Sequence, residues 1–318
     1  MANRREEEMS RIGGVIEELR NRAGMSRKIL CDNICSEKYL YLIEKGKRIP
    51  SMNITRLFSD RLGIDLFKYS NYLDCKNPIE IEAAMSMFYK CRRESDILAL
   101  KEINDYAMTL PDFQTAPWSY EVELNQIAYR VLVDGKYRES IKDIEDIIQK
   151  MDPKYADSTF RIFYYVLLST CYQMDMDLKR AKDANTVAYE IIFRKDQIEK
   201  YVTVLFTVMI NKITLLYLSK EYDEVISEAK LLGQYQKQAN VFDSLHHSFI
   251  YLAFAYYHKG MEEEGIAWFM KCLSIMSFNY RPLDMYYFSE YELFDVLIND
   301  QRLPKGIIGE VKRLYNLS

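Results

Sequence analysis

The chain has 318 residues, of which 49% are hydrophobic and 28% are charged. This balance excludes a disordered chain and allows two globular domains with sizeable cores. No apolar run reaches the roughly 20 residues that span a bilayer, and the start, MANRREEEMS, lacks the apolar segment of a signal peptide. We therefore expect a cytoplasmic protein without membrane association, in which the six scattered cysteines stay reduced.

The net charge of −4 is unevenly distributed along the chain. Residues 1–70 hold 14 Lys and Arg against 10 Asp and Glu, whereas the remainder holds 29 against 37. The excess of positive charge therefore lies at the N-terminal end, as contacts with phosphates would require. Because an excess of four is modest for one copy, it favours two copies on a two-fold repeated DNA site.

Residues 25–51, MSRKILCDNICSEKYLYLIEKGKRIPS, predict two short helices joined by a tight turn and followed by a basic loop. Ser26 and Ser36 are suited to cap these helices, because a serine hydroxyl accepts from a free backbone N–H. Gly46 can end the second helix in the left-handed conformation. A short helix with an apolar back, a polar front and a basic exit suits the major groove of DNA.

These residues resemble the helix-turn-helix of Xre/Cro-type repressors. The match consists of Ser-Arg-x-x-Leu at 26–30, Ile-Cys-Ser at 34–36, Leu-x-x-Ile-Glu-Lys-Gly at 40–46 and Pro-Ser at 50–51. The turn Asn33-Ile34-Cys35 and the run Pro50-Ser51-Met52 are similar, more narrowly, to PlcR- and Rgg-type members of the RRNPP family. That family's members are peptide-sensing transcription regulators. The resemblance implies an all-α fold, with a five-helix Xre-type domain followed by a right-handed superhelix of tetratricopeptide-like helix pairs.

Contacts with DNA are predicted from the positions of side chains on this motif. We expect base contacts from Ser36, Glu37, Lys38 and Tyr41, and phosphate contacts from Arg27, Lys45, Lys47 and Arg48. Arg27 stands where many Xre-type proteins carry Gln. Glu37 is uncommon for a groove-facing residue, and its carboxylate can accept from cytosine N4.

The chain divides by sequence into four segments. We predict a polar arm at 1–9, the helix-turn-helix domain at 10–73, a linker at 74–78 and a repeat domain at 79–318. Further helices of the first domain are expected at 10–23, 52–62 and 64–73. Pro78 is well placed to begin a new helix, because proline is favoured in the first helical turn.

From Pro78 onward the sequence shows only helical periodicity. The clearest unit is Leu252-Ala253-x-x-Tyr256-x-x-x-Gly260, followed by Gly265, Phe269 and Cys272, and it resembles a tetratricopeptide repeat. Small residues at 253 and 265 would let two antiparallel helices approach closely. Weaker copies are anchored at Ala128, Ser169 and Thr214. Helices at 79–92 and 95–109 precede these units, and helices at 283–299 and 305–316 would close the stack.

A stack of such pairs presents the first helix of each pair on its concave side. Counting from the small anchor residue predicts ten peptide-binding residues: Asn125, Tyr129, Thr170, Gln173, Met174, Asn211, Leu215, Phe254, Tyr257 and His258. The two asparagines are informative, because a carboxamide both donates to and accepts from a peptide backbone. RRNPP sensors use groove asparagines in this way. The alternative is that both asparagines bond across helix pairs inside the stack.

Together these features predict a sequence-specific DNA-binding transcription regulator, acting as a homodimer and controlled by a short signalling peptide. Two alternatives remain open. The repeat domain of a helix-turn-helix repressor could serve only for dimerisation or for binding a protein partner, or the chain could be a partner-binding protein of the Rap type. We see no nucleophile–base pair, metal motif or phosphate loop, so we expect no catalysis, metal or cofactor.

Overall fold

A computed structural model describes residues 2–94, 96–195, 201–278 and 291–315. All regular elements within these ranges are helices, so the predicted all-α class is confirmed. The chain forms two compact units, one of residues 1–90 with 102–122 and one of residues 91–101 with 123–318. No helix in the described ranges is long and apolar enough to cross a membrane.

The first unit begins with the helices of the predicted helix-turn-helix domain. They are α1 (Ala2–Arg22), α2 (Arg27–Cys31), α3 (Glu37–Glu44), α4 (Met52–Leu62) and a 3₁₀ helix (Leu66–Tyr72), followed by α5 (Pro78–Arg93). The helix at 52–62 and the start of a helix at Pro78 are as predicted. The element expected at 64–73 is a 3₁₀ helix, and α1 includes residues 2–9 of the expected polar arm. That segment has no Gly or Pro and is rich in Arg and Glu, which favour helix.

The core of this domain places α3 directly against α1. Ile16 of α1 and Leu40 and Ile43 of α3 are fully buried, and the other apolar residues of the same face of α1 are buried beside them. The two helices meet at Gly13, where an added Cβ would lie 1.7 Å from the carbonyl oxygen of Ile43. Only glycine fits there, and the orientation of α3 depends on this contact.

The predicted linker at 74–78 is held by specific hydrogen bonds within the first unit. The carboxylate of Asp112 accepts from the backbone N–H groups of Lys76, at 2.9 Å, and Asn77, at 3.0 Å. The Tyr72 and Trp118 rings also pack together, with centroids 5.2 Å apart. The compact unit therefore extends beyond the boundary predicted at 74–78, because these contacts join residues that are far apart in sequence.

Helix pairs follow along the rest of the chain. They are α6 (Ile97–Ala107), α7 (Trp118–Leu132), α8 (Tyr137–Lys150), α9 (Thr159–Met174), α10 (Leu178–Phe193), α11 (Val202–Leu218), α12 (Tyr222–Gln238), α13 (Leu245–His258), α14 (Glu262–Met276), α15 (Tyr291–Ile298) and α16 (Lys305–Tyr315). α9 packs against α10, α11 against α12, and α13 against α14. Of the predicted helices, residues 95, 283–290 and 316 lie outside the described ranges.

The close approach predicted for the clearest repeat is present between α13 and α14. A Cβ at Gly265 would lie 3.0 Å from the carbonyl oxygen of Ala253 and 3.1 Å from the backbone nitrogen of Tyr257. Ala253 itself is fully buried. Small residues at 253 and 265 therefore bring two helix backbones almost into contact, as the sequence predicts.

Two adjacent glycines of α1 allow a test of the α1–α3 contact. Gly13→Ala would drive its Cβ into the Ile43 carbonyl and should destabilise the protein by about 1–3 kcal/mol or more, as overpacking does. Gly14→Ala is the matched control, because nothing lies within 4 Å of its Cβ position. Since alanine favours helix over glycine, the control should gain about 0.5–1 kcal/mol. The urea midpoint from far-UV circular dichroism measures both, and equal midpoints for the two variants would contradict the contact.

Candidate functional site

The helix-turn-helix is fixed by capping residues at the predicted positions. The Ser26 Oγ accepts from the backbone N–H of Ile29, and the Ser36 Oγ from that of Tyr39, both at 3.2 Å. Asn33 in the turn has a φ of 54°, a left-handed conformation that asparagine tolerates, and Gly46 after α3 has a φ of 66°. The predictions for Ser26, Ser36 and Gly46 are confirmed.

The front of α3 and the loop after it form an exposed polar surface. Glu37, Lys38 and Tyr41 are exposed on α3, and Lys47 and Arg48 are exposed in the loop. Within the described residues, no hydrogen bond or ion pair involves the side chains of Lys38, Lys47 or Arg48. Ser36 uses its oxygen for the cap, so its hydroxyl proton can still be donated. This surface offers three cations and several polar groups to a ligand.

Arg27 and Lys45, the other two predicted phosphate contacts, are engaged in ion pairs. The Arg27 Nε donates to the fully buried carboxylate of Glu44, whose other oxygen accepts from Arg20 Nε at 2.7 Å. This hydrogen bond with Glu44 raises the pKa of Arg27. Lys45 Nζ lies 2.8 Å from Glu17 Oε1, and this hydrogen bond lowers the pKa of Glu17. Both cations are thus engaged in ion pairs within the domain.

Two contacts that shape this surface were not predicted from the sequence. The Arg27 guanidinium, held by Glu44, lies 5.3 Å from the centroid of the Tyr41 ring. Arg61 of α4 donates to the backbone carbonyls of Leu30, at 3.1 Å, and Asp32, at 2.5 Å, at the end of α2. Arg61 therefore secures the turn, and Arg27 supports an exposed residue of α3. Both contacts join residues at least 14 positions apart, which periodicity cannot reveal.

The main cavity of the second unit has a volume of about 530 Å³, within the range of about 300–1,000 Å³ of small-molecule sites. Three first helices of the repeat pairs, α9, α11 and α13, supply most of its walls. The lining is apolar with a few hydroxyl and amide groups, and it comprises Arg92, Val166, Thr170, Gln173, Val202, Thr203, Phe206, Thr207, Ile210, Asn211, Thr214, Ala239, Val241, Ser244, His247 and Tyr251. Such a cavity suits a mainly apolar ligand with a few polar groups.

Three of the ten predicted peptide-binding residues line this cavity: Thr170, Gln173 and Asn211. On α9 the repeat offsets select the lining face. On α11 the lining residues run from Val202 to Thr214, so they lie before the anchor Thr214 or at it, and none lies after it. The sequence does indicate this stripe, because residues 203, 207, 211 and 214 are polar positions at helical spacing in a helix that is otherwise apolar apart from Lys212.

The other seven predicted residues lie outside the cavity lining. Asn125, Leu215 and Phe254 are at most 2% exposed and belong to the packing between helices. His258 Nε2 lies 2.9 Å from the Tyr217 hydroxyl, and Lys101 lies over the Tyr129 ring at 5.7 Å. Met174 and Tyr257 are partly buried. Because α11 and α13 are apolar on almost every face, the sequence alone does not distinguish a lining face from a packing face.

The polar groups of the cavity are held from behind by buried asparagines. Arg92 Nη2 donates to the Asn125 Oδ1 at 2.5 Å, and the Arg92 guanidinium lies 4.7 Å from the Phe163 ring centroid. The Asn211 Oδ1 accepts from the Asn185 Nδ2 at 2.9 Å. Asn125 and Asn185 are each 2% exposed. Arg92 is the one permanently charged residue among the described residues of the lining.

Comparison with solved structures identifies the fold. The chain is similar to PlcR of Bacillus thuringiensis in complex with the peptide PapR7 and DNA, with a TM-score of 0.62 and 16% identity. The match covers 92% of this chain and all of the PlcR chain. The chain is also similar to ComR of S. thermophilus in complex with DNA and its signalling peptide ComS, with a TM-score of 0.51 and 17% identity. This match covers 94% of this chain and 99% of the ComR chain.

The chain has the fold of PlcR and ComR. This confirms the resemblance predicted from the helix-turn-helix motif and the repeat pattern. A curated relative, the transcriptional activator NprA of Geobacillus stearothermophilus, is 27% identical over 178 residues, which is 54% of this chain and 40% of that protein. The chain thus matches less than half the length of this relative. No family model matches the chain.

The ion pairs of Arg27 generate a prediction that differs from the sequence-based one. Lys47→Gln should weaken binding to any DNA and reduce the slope of log affinity against log salt by about one, because the phosphate contact predicted for Lys47 would be lost. Arg27→Gln removes the same charge, but Arg27 is already paired with Glu44. It should leave the slope unchanged and lower the urea midpoint. Fluorescence anisotropy with the DNA upstream of the gene, at several salt concentrations, measures the slope.

An equal loss of slope in Arg27→Gln and Lys47→Gln would mean that Arg27 leaves Glu44 and contacts a phosphate. Arg56→Gln serves as a charge-matched control, because Arg56 is exposed on α4 and its guanidinium lies 3.1 Å from Asn53 of the same helix. An exposed side-chain hydrogen bond of this kind contributes little to stability.

Proposed function

We propose that the protein is a sequence-specific DNA-binding transcription regulator whose activity is controlled by a short peptide. The observation that carries this proposal is the presence on one chain of an exposed recognition helix with a basic loop and of a 530 Å³ apolar cavity built by three repeat helices. PlcR and ComR, which share the fold, have been solved with both DNA and a peptide. We further propose that it acts in the cytoplasm, as a homodimer on a two-fold repeated site, and has no enzymatic activity.

The DNA-reading part of the proposal assigns roles by exposure. Glu37, Lys38 and Tyr41 would contact base edges, because they stand on the exposed front of α3. Lys47 and Arg48 would contact phosphates from the adjacent loop. The excess of positive charge in residues 1–70 supports this assignment, since counterion release from phosphates supplies much of the affinity for DNA.

The peptide part of the proposal follows from the chemistry of the cavity. Most of the wall is apolar, which suits apolar side chains of a peptide. Arg92 is a fixed cation in this wall, so it would bind a carboxylate of the peptide, either the C-terminal one or an acidic side chain. Thr170, Gln173 and Asn211 supply polar groups for the peptide backbone.

The proposal is tested by measuring DNA binding of the intact protein with and without peptide. The DNA is the region upstream of the gene, and the peptides are synthetic heptapeptides that tile the short reading frames next to it. A several-fold change in DNA affinity caused by one peptide is the expected result. DNA binding that no peptide changes would favour a repressor whose repeats only dimerise or hold a protein. The absence of specific DNA binding would contradict the regulator function and favour a partner-binding protein of the Rap type.

The role proposed for Arg92 gives a second prediction. Arg92→Gln should weaken an active heptapeptide by about ten-fold or more, since a hydrogen bond to a charged group is worth about 1.5–3 kcal/mol. Amidating the C-terminus of that peptide, or replacing its acidic side chain by the amide, should weaken wild-type binding by a similar factor. Whichever of the two amide forms weakens binding shows which carboxylate of the peptide Arg92 contacts. In Arg92→Gln the same amide should have no further effect, and isothermal titration calorimetry measures all four combinations.

Lys101→Gln is the matched control for the charge change, because Lys101 is exposed and lies over the Tyr129 ring, outside the cavity lining. Equal losses in Arg92→Gln and Lys101→Gln would point to a general electrostatic effect. If amidation weakens peptide binding by the same factor in Arg92→Gln as in the wild-type protein, the carboxylate binds elsewhere.

A further inference from the structure

Asn211 presents one defined end of its carboxamide to the main cavity. Its Oδ1 accepts from the Asn185 Nδ2 at 2.9 Å and lies 2.9 Å from the Ser169 Oγ. Among the residues that the structure describes, its Nδ2 has a single long contact, 3.5 Å to the Thr170 Oγ1, which itself donates to the backbone carbonyl of Val166. The oxygen is therefore engaged away from the ligand, and the N–H group remains available at the cavity wall.

A carboxamide can be rotated by 180° with little change in shape, so its orientation must follow from its partners. The carbonyl oxygen of Val208 can only accept, and it receives the Asn185 Nδ2 at 3.3 Å. This contact fixes which end of Asn185 is the amide nitrogen. The same nitrogen faces Asn211, so Asn211 must turn its oxygen towards Asn185. The orientation is thus determined, step by step, from a backbone carbonyl.

Ser169 does not replace Asn185 in this role. Its hydroxyl has one proton and two nearby acceptors, the Ala181 carbonyl at 2.7 Å and the Asn211 Oδ1 at 2.9 Å. The shorter contact is to the backbone, and a hydroxyl can also accept, so Ser169 would tolerate either end of the Asn211 amide. Asn185, which can only offer N–H groups at this position, is the selective partner.

We propose that Asn185 is a positioning residue that sets the polarity of the ligand site at Asn211. The site then offers a hydrogen-bond donor, so the bound peptide presents a carbonyl oxygen there and not an N–H group. This inference rests on the proposed peptide-binding function and adds the residue that determines which peptide backbone group is read. Asn185 is 2% exposed and does not line the main cavity, so it acts only through Asn211.

The binding test uses a double-mutant cycle. The probe is the tightest-binding member of a fluorescein-labelled library of apolar heptapeptides with free C-termini, measured by anisotropy on the full-length protein. Asn185→Leu and Asn211→Ala should each weaken the probe by up to about five-fold, which corresponds to one neutral hydrogen bond. The double variant should be no weaker than Asn211→Ala. If Asn185→Leu weakens the probe equally when Asn211 is already alanine, Asn185 acts through helix packing and the proposal is wrong.

A second variant tests the polarity without disturbing the buried contacts. Asn211→Asp keeps an oxygen for Asn185 and Ser169 and replaces the cavity-facing N–H group by an acceptor. It should weaken the probe more than Asn211→Ala does, because two acceptors then face each other. Affinity equal to that of the wild-type protein would overturn the proposal. This variant needs no change at Asn185, so it decides the question even if Asn185→Leu fails to fold.

A ligand-free measurement separates this inference from the proposed function. In wild-type protein, the Asn211 side-chain amide protons should show nuclear Overhauser contacts to Thr170 side-chain protons. These contacts should weaken in Asn185→Leu. The control is Asn104→Leu, which removes another asparagine of 2% exposure whose Nδ2 donates to a backbone carbonyl, that of Val122. Unchanged contacts in Asn185→Leu would overturn the proposal. If no heptapeptide binds the wild-type protein, the peptide function fails and these contacts alone decide the role of Asn185.

Discussion

A buried charge must have a partner, because leaving it unpaired inside a protein is costly. The first domain is organised around one fully buried carboxylate, that of Glu44. The Glu44 carboxylate ends α3 and is enclosed by Arg20 from α1 and Arg27 from α2. Removing one partner of such a group costs several kcal/mol, so all three helices must stay together. The exposed face of α3 is therefore rigid with respect to α1 and α2. A rigid recognition helix suits sequence readout, because each base contact depends on sub-ångström positioning.

The same constraint, that a buried polar group must find a partner, also shapes the repeat unit. Its helices are so apolar that packing alone would leave their rotation poorly defined. Ser169, Asn185 and Thr214 are buried polar groups at junctions between helices, and each has hydrogen-bond partners on a neighbouring helix. Satisfying these groups fixes the helices in one rotation. The cavity wall between α9, α11 and α13 then has a reproducible pattern of donors and acceptors.

The sequence was sufficient where the determinants are local, and insufficient where they are long-range. Ser26, Ser36 and Gly46 act on their own helix ends, so residue type and spacing predict them correctly. Gly265 and Ala253 were also predictable, because small residues recur at fixed offsets in the repeat. The pairing of Arg27 with Glu44 was not predictable, since a paired arginine and an unpaired one look alike in sequence. On α11 and α13, apolar residues on all sides hide the face that lines the cavity, which is why Leu215 and Phe254 were placed in it.

Burial separates two roles that the same residue type takes around the cavity. Asn125 was expected to bind the ligand, but it is only 2% exposed and accepts a hydrogen bond from Arg92. It therefore positions Arg92, which lines the cavity. Asn211 is partly exposed and lines the cavity itself, while Asn185 stands behind it as Asn125 stands behind Arg92. Asn125 holds the Arg92 guanidinium in place, and Asn185 orients the Asn211 amide so that its N–H group faces the cavity. Both groups are donors, so a peptide in this cavity would be recognised through its oxygens: a carboxylate at Arg92 and a backbone carbonyl at Asn211.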